Sequence, residues 1–262
     1  MLEVKDIYKT FNPGTVNEKH ALNGVSLSLK EGDCVTVIGS NGAGKSTLLN
    51  AIAGLWMVDS GSIKIAGDDI TKLPDYKRAK YIGRVFQDPM LGSAATMQIE
   101  ENMALAARRG KRRTLRKGIT QQERENYLEL LKELNLGLED RLTSKVGLLS
   151  GGQRQALTLL MSTMEKPKLL LLDEHTAALD PKTAAKVLEL TEKLVSENNL
   201  TTFMVTHNMR DALKYGNRLI MMCDGKIIFD VEGEEKKKLE VKDLLDKFNT
   251  AGGIVSDAMM LG

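Results

Sequence analysis

The sequence predicts an α/β fold into which an all-helical lobe is inserted. Short apolar runs typical of buried strands alternate with helical patterns before residue 90 and after residue 166. Between them, residues 97–164 carry a helical pattern and no convincing strand. At 262 residues, the chain is long enough to bury a large core and to hold one domain with such a lobe.

The N-terminal part of the chain predicts strands closed by turns. A first strand ends at Phe11, before an Asn-Pro-Gly turn at 12–14, and a half-buried strand spans 25–29. Further along, we expect a strand over 63–65, a turn at 67–69 and a strand over 81–86.

A phosphate-binding pattern, G-x-x-x-x-G-K-[ST], occupies Gly39–Ser46. A buried strand over 35–38 precedes it and a helix over 46–54 follows, which is the context that the pattern requires. The Gly-rich backbone points its N–H groups at an anion, Lys45 adds a positive charge, and the Ser46 hydroxyl can bind Mg²⁺. The alternative is a Gly-rich turn with no nucleotide, and the flanking strand and helix argue against it.

The inserted lobe predicts helices with one apolar face, on which lie Tyr127, Leu130, Leu131 and Leu134. It also contains a basic run without an acid, formed by Arg108, Arg109, Lys111, Arg112, Arg113, Arg116 and Lys117. One interpretation of this run is a solvated helix end. The other is contact with anionic lipid headgroups or with an acidic loop of a partner.

Strands and helices alternate again from Lys168. Residues 169–172 are uniformly apolar, which suits the middle of a parallel sheet covered on both faces. Asp180 and Pro181 predict the N-cap and first position of a helix. The remaining expected elements are strands over 202–205 and 218–223, a hairpin turn at 224–225 into a strand over 226–229, and an amphipathic helix with Val241, Leu244, Leu245 and Phe248.

Composition excludes several classes of protein. With 37 Lys and Arg against 35 Asp and Glu, net charge gives no reason to propose a nucleic acid as partner. The two cysteines, Cys34 and Cys223, lie in apolar runs, so we expect buried free thiols in a reducing cytosol. We see neither a signal peptide nor a membrane span, so we expect the protein to stay inside the cell and to reach a membrane through a partner.

Two carboxylates, Asp173 and Glu174, end the apolar strand over 169–172. Ligands of α/β sheets bind at the carboxyl ends of strands, so Asp173 would face the Mg²⁺ held by Ser46, and Glu174 would face an attacking water. A surface turn is the alternative, and the phosphate-binding pattern upstream argues against it.

The stretch Leu149–Gln155, which reads LSGGQRQ, predicts a capped helix start with exposed N–H groups and hence a second anion site. Together with the phosphate loop, Gln87, Asp180 and His207, it strongly resembles the ATP-binding cassette (ABC) ATPases of membrane transporters. The resemblance runs in the family's order from about Leu2 to about Phe229.

The resemblance implies a P-loop NTPase, RecA-like core with an antiparallel β subdomain and an inserted helical subdomain. We expect one ATPase domain over 1–230, with its core in 1–90 and 166–230, the helical subdomain in 91–165, and a C-terminal helix and tail in 231–262.

The resemblance also implies ATP and Mg²⁺ as cofactors. It implies catalytic roles for Glu174, as the general base, and for His207, Gln87 and Lys45. It also implies that Ser46, Gln87 and Asp173 bind the metal. The expected nucleotide contacts are Phe11, Ser40, Asn41, Gly42, Ala43, Gly44, Lys45, Ser46, Thr47, Ser150, Gly151, Gly152, Gln153 and Asp180. For the adenine contact of Phe11, a core role and the competing candidate Tyr8 remain open.

In this family, Ser150–Gly152 would bind the γ-phosphate of ATP held by the other subunit, so two chains close on two ATP molecules. One departure is His175, where the family usually has proline; it could loosen the turn or add a polar contact near the dimer seam, and a catalytic role is not expected.

By resemblance, the chain is the ATPase subunit of a bacterial importer, working at the cytoplasmic face of the membrane. The expected partners are a second copy or a paralogous ATPase, a separate permease and an external solute-binding protein. The stretch 173–180 favours amino-acid uptake, with aromatic amino acids as one option. Alternatives are an exporter ATPase, an ABC protein acting on nucleic acid or ribosomes, and an adaptor that binds nucleotide without turnover.

Overall fold

The computed structural model describes residues 1–111 and 118–250. The strands are β1 (Leu2–Phe11), β2 (Lys19–Leu29), β3 (Cys34–Gly39), β4 (Ser60–Ile65), β5 (Asp68–Asp69), β6 (Ile82–Val85), β7 (Leu169–Asp173), β8 (Thr202–Val205), β9 (Arg218–Cys223) and β10 (Lys226–Glu232). The α-helices are α1 (Lys45–Ala53), α2 (Asp75–Arg78), α3 (Ile99–Ala106), α4 (Gln121–Lys132), α5 (Gly151–Thr163), α6 (Pro181–Glu197), α7 (Met209–Lys214), α8 (Gly233–Lys237) and α9 (Val241–Thr250).

The central sheet has the order β10-β9-β3-β8-β7-β6. Strands β9, β3, β8, β7 and β6 are parallel, and β10 is antiparallel to β9. The four leucines of β7 are fully buried because helices cover both faces of the sheet. The segments that follow β3, β8, β7 and β6 therefore meet side by side at the carboxyl edge of the sheet.

A second, antiparallel sheet has the order β2-β1-β4-β5. Its strand β2 begins at Lys19, well before the predicted 25–29. The turn predicted at 67–69 was misplaced: Ala66 and Gly67 have positive φ angles of 52° and 87°, and they form the bend of a hairpin in which Asp68 and Asp69 pair with β4. Charged, exposed residues in a two-residue edge strand give no hydrophobic pattern, so the sequence did not indicate β5.

The helical lobe contains α3, α4 and α5 around a core of its own. On α4, Tyr127 and Leu131 are buried, and Leu134 is buried just after the helix. Helix α5 also packs against the central sheet, since its Leu159 belongs to the cluster that contains Val85 of β6. This helix therefore connects the lobe to the edge of the sheet that carries β6.

The described part of the basic run is paired within the protein. Arg108 contacts Glu123 at 2.9 Å, Arg109 donates to the Ser162 carbonyl at 3.0 Å, and Lys111 contacts Glu165 at 2.6 Å. These contacts do not distinguish a solvated helix end from a contact with lipid or with an acidic partner, so both interpretations stay predictions. The rest of the run, Arg112, Arg113, Arg116 and Lys117, lies outside the described residues.

Most C-terminal elements follow the prediction, but helices α7 and α8 were not predicted and β10 extends to Glu232, beyond the expected 226–229. Asp180 caps α6 with Pro181 at the first position, and the β9–β10 hairpin turns at residues 224–225, where φ is 45° and 73°. Helix α9 buries Leu244 and Phe248, and the tail from residue 251 lies outside the described residues.

The two cysteines are free thiols, as predicted, but only Cys223 is fully buried. Cys34, the first residue of β3, is half-buried. Among the described helices, none has the length and apolar character needed to cross a membrane.

Candidate active site

The phosphate-binding loop connects β3 to α1, and its glycines have the backbone that the pattern requires. Gly42 and Gly44 have φ angles of 84° and 100°, and a Cβ on Gly44 would lie 2.5 Å from the Ala21 carbonyl of β2. The loop therefore packs tightly against β2. Asn41, Gly42 and Ser46 are exposed, Ser40 and Thr47 are half-buried, and Ala43, Gly44 and Lys45 are buried.

The side chain of Lys45 folds back onto the start of this loop. Its Nζ donates to the carbonyl oxygens of Gly39 at 2.6 Å and Ser40 at 3.1 Å. Burial lowers the pKa of Lys45, and the nearby carboxylates of Glu174 and Asp173 oppose that shift. The structure thus brings the loop lysine and the two acids together.

Glu174 and His207 form a pair at the ends of β7 and β8. His207 Nδ1 lies 3.5 Å from Glu174 Oε2. The contact with His207 holds the pKa of Glu174 below its usual value, although burial acts in the other direction, and the same contact raises the pKa of His207. The carboxylate form of Glu174 is therefore favoured, which is the form that accepts a proton.

Asp173, the last residue of β7, is largely buried beside Arg84 of β6. Burial raises the pKa of Asp173, and Arg84 Nη2, 3.4 Å from Asp173 Oδ2, opposes that shift. The described residues contain no cluster of three or more His, Cys, Asp or Glu side chains. Magnesium bound with a nucleotide needs few protein ligands, and the hydroxyl of Ser46, the carboxylate of Asp173 and the amide of Gln87 offer the hard oxygen donors that it prefers.

Gln87 lies in the exposed loop after β6, next to the end of β7. Among the described residues, its side chain makes no hydrogen bond. The loop is nevertheless tied to the helical lobe, since the Gln155 amide of α5 donates to the Phe86 carbonyl at 2.8 Å. The structure therefore places Gln87 at the correct edge of the sheet without a contact to the other predicted site residues.

Residues 149–153, the LSGGQ stretch, lie at the start of α5, where Ser150 and Gln153 form a reciprocal cap. Ser150 Oγ accepts from the Gln153 N–H at 3.3 Å, and Gln153 Oε1 accepts from the Ser150 N–H at 3.2 Å. Ser150 and Gly151 are exposed, but Gly152 is buried, contrary to the expectation that both glycines expose their backbone. A Cβ at Gly152 would overlap Thr183 of α6, so this glycine lets the two helices approach closely.

Asp180 lies beside that helix start. Its carboxylate caps α6 by accepting from the Thr183 N–H at 3.1 Å. Hydrogen bonding with the Thr183 side chain, and then with its N–H, lowers the pKa of Asp180. A Cβ at Gly151 would lie 3.5 Å from Leu179, so the LSGGQ stretch and the loop before α6 form one surface.

Phe11 is half-buried at the end of β1, where its ring meets Trp56 edge-on with centroids 4.9 Å apart. Its strand partner is Lys19, whose Nζ lies 3.1 Å from where a Cβ on Gly42 would be. Phe11 is thus connected to the phosphate loop through its strand partner, whereas Tyr8 pairs with Asn23. The adenine contact of Phe11 stays a prediction.

His175 points into the core and not toward the surface. Its side chain is 2% exposed, and Nε2 lies 3.0 Å from Thr191 Oγ1 of α6. Burial lowers the pKa of His175 to about 4, so the imidazole is neutral at pH 7. The polar contact proposed for the dimer seam is therefore made inside the domain.

Three polar residues at this site were not predicted from the sequence. Lys19 borders the loop, Arg84 contacts Asp173, and Gln155 bridges the carbonyl oxygens of Phe86 and His175. The charge inside the apolar strand Ile82–Val85 was the one available signal, because a buried charge needs a partner.

A glycine-rich loop between a strand and a helix, a lysine within it, and acids at the end of a neighbouring parallel strand define a P-loop nucleoside triphosphatase. Family comparison narrows the class, since the sequence pattern described as ABC transporter matches residues 22–177. The chain belongs to the ABC transporter family and is its ATP-binding cassette, an ATPase.

The chain is also similar to individual ATP-binding proteins of transporters. A tyrosine transport ATP-binding protein of Clostridioides difficile is 48% identical over 253 residues, which cover 96% of this chain and 100% of the relative. A methionine import ATP-binding protein of Clostridium tetani is 36% identical and covers 94% of this chain and 76% of the relative.

Solved structures give the same fold. A dimeric ATP-binding cassette in a post-hydrolysis state, bound to ADP and Pi, superposes with a TM-score of 0.75 at 32% identity, covering 88% of this chain and 98% of its own. The ADP conformation of another ABC transporter cassette gives 0.77 at 28% identity and covers 95% and 98%.

Proposed function

We propose that this cassette hydrolyses ATP to power a bacterial importer of amino acids, with tyrosine as the first candidate solute. The observation that carries the proposal is the 48% identity with a tyrosine transport ATP-binding protein along that relative's entire length. Relatives named for methionine, phosphonates and polyamines are less similar, at 34–37% identity.

In the proposed reaction, water attacks the γ-phosphate of ATP in line with the departing ADP. Glu174 accepts the proton of that water, and its pairing with His207 favours the required carboxylate. Lys45 and the N–H groups of the phosphate loop stabilise the charge on the transferring phosphoryl group. His207 orients Glu174 and contacts the γ-phosphate.

Ser46, Asp173 and Gln87 would hold Mg²⁺ at the phosphates. When bound, the ion supplies positive charge that neutralises the phosphate oxygens as they separate. The chain's own contribution is to hold these oxygen donors at the carboxyl edge of the sheet, where β3, β7 and β6 end.

A second cassette completes the nucleotide-binding site. We infer that Phe11 stacks on adenine and that Ser150–Gln153 of one chain bind the γ-phosphate held by its partner, with Asp180 at the crossing between the two sites. The exposure of Ser150 and Gly151 supports this arrangement, as does the dimeric state of a similar cassette.

The importer also needs a membrane-spanning permease as a separate chain, and an external solute-binding protein to deliver the solute. The cassette pair would then act at the cytoplasmic face of the membrane. Names of import ATP-binding proteins among the relatives support this organisation.

Uptake of radiolabelled tyrosine tests the proposal. Cells that depend on this gene should lose ATP-dependent tyrosine uptake when Lys45 is replaced by alanine, because the phosphate charge is left uncompensated. Lys193→Ala, on an exposed turn of α6, is the matched control and should transport normally. Unchanged tyrosine uptake in Lys45→Ala cells that have lost methionine uptake would overturn the choice of solute.

A further inference from the structure

A buried arginine stands beside the proposed metal site. Arg84 belongs to β6, and only 12% of its side chain is exposed. Its Nη2 donates to Asn50 Oδ1 of α1 at 2.7 Å and lies 3.4 Å from Asp173 Oδ2. The other two guanidinium nitrogens, Nε and Nη1, are buried and have no hydrogen-bond partner among the described residues.

The position of Arg84 follows from the strand register. Arg84 pairs with Leu171 of β7, so it shares a face of the sheet with Leu171 and Asp173. Helix α1 packs on this face, and its Asn50 fixes one end of the guanidinium. The guanidinium carbon, Cζ, lies 4.4 Å from the centre of the Phe86 ring.

Burying a guanidinium group is costly unless an anion compensates its charge. The carboxylate of Asp173 is the anion that Arg84 contacts. In the proposed function, the same carboxylate serves the divalent cation. Two cationic groups are thus directed at one carboxylate, and like charges close together disfavour each other.

We propose that Arg84 is a positioning residue that acts as the internal counter-cation of Asp173 and competes with Mg²⁺ for it. Without metal, Arg84 holds the carboxylate oriented between α1 and β7. With the metal nucleotide, the carboxylate is shared, so the site binds Mg²⁺ more weakly than it would without the arginine. This inference rests on the proposed role of Asp173 as a metal-site residue.

The competition has a thermodynamic signature that a purely structural ion pair lacks. Arg84 should favour ADP without metal, because its positive charge attracts the phosphates, and disfavour ADP with Mg²⁺. The ratio of the ADP dissociation constant in EDTA to that in excess Mg²⁺ measures this coupling and requires no turnover.

Calorimetric titration of ADP into the full-length protein at pH 8 tests the inference. Arg84→Met, which keeps the length and apolar packing of the side chain, should raise the ratio about tenfold, as expected for removal of a unit charge next to a divalent cation. Arg84→Lys, which keeps the charge, should restore the wild-type ratio. Arg218→Met is the matched control, because it also removes a buried partner of a carboxylate, Asp230, but at the start of β9.

An unchanged or lower ratio in Arg84→Met, with the control at the wild-type value, would overturn the inference. Arg84→Gln, smaller and polar, carries the same expectation and replaces Arg84→Met if that variant does not fold by circular dichroism. Failure of the proposed function would look different, since wild-type protein would then show no effect of Mg²⁺ on ADP affinity.

Discussion

Glu174 has a backbone conformation that is unusual for a residue other than glycine. Its φ angle is 44°, in the left-handed region, and its N–H donates to the Val205 carbonyl at 2.9 Å. Such a conformation costs free energy unless the surroundings hold it, and it is concentrated at functional sites. Here it directs the carboxylate away from the end of β7 and toward His207.

Replacing Glu174 by glutamine tests the assignment of the base. The amide keeps the shape of the side chain but cannot accept the proton, so we expect turnover to fall by about 10² to 10⁴ fold with ATP binding retained. Phosphate release under saturating ATP measures the change. Glu192→Gln, exposed on α6, should hydrolyse ATP normally, and near wild-type turnover in Glu174→Gln would show that another group is the base.

At the residue scale, the sequence was informative where a motif fixes the side chain and uninformative where only packing does. The loop lysine and the acids after β7 were predicted because their chemistry depends on spacing. Arg84 and the inward direction of His175 were not, because each depends on a partner far along the chain, Asp173 or Thr191. Long-range pairs of this kind leave no local pattern.

At the scale of elements, α5 has two tasks. Its N-terminus presents Ser150 and Gly151, and its body joins the helical lobe to the central sheet. Gly152 makes the two compatible, because its missing side chain lets α5 lie against Thr183 of α6.

We expect Gly152→Ala to destabilise the domain by about 1–3 kcal/mol, since the new methyl group overlaps Thr183. Urea unfolding measures this loss. The double variant with Thr183→Ser, which removes the obstructing methyl, should recover most of it, and Gly151→Ala should be close to neutral because its Cβ has room. Equal stability of Gly152→Ala and wild type would contradict the close helix contact.

Helix α8 is fixed by a buried lysine. Lys236 Nζ donates to the carbonyl oxygens of Tyr215 and Gly216, which follow α7. Lys236 as a whole is only 3% exposed. Burial lowers the pKa of Lys236 from 10.5 to about 8.

This shift predicts a pH dependence. Between pH 8 and 10.5 the folded state binds fewer protons than the unfolded state, so the contribution of Lys236 to the free energy of unfolding rises with pH and is lost again as pH falls through 8. Wild type should therefore gain about 2 kcal/mol relative to Lys236→Met between pH 7.5 and 9.5 in urea unfolding. Lys237→Met, at an exposed neighbour, should track wild type; a constant difference between wild type and Lys236→Met would refute the shift.

The elements themselves were largely predictable from periodicity. The parallel strands, the helical lobe, the cap of α6 and the β9–β10 hairpin follow from apolar runs and turn residues. The early start of β2 and the short β5 were not, because they are exposed edge segments whose pairing is decided by neighbouring strands.

At the scale of the whole molecule, the predicted nucleotide-binding residues lie on two separate surfaces, and each surface can form only half of a nucleotide site. The phosphate loop, Glu174 and His207 lie at the carboxyl edge of the central sheet, whereas Ser150 lies at the start of α5, beside α6. We propose that a second chain supplies the missing half, so that ATP joins two cassettes.

Sedimentation of the Glu174→Gln variant with ATP tests whether ATP joins two chains. We expect a species of twice the 28.9 kDa chain mass that holds two ATP molecules. This species should be lost when Ser150 is also replaced by arginine, with ATP still bound to each single chain. A Glu174→Gln protein that binds ATP and remains a single chain, or one that still dimerises with Ser150→Arg, would contradict the shared site.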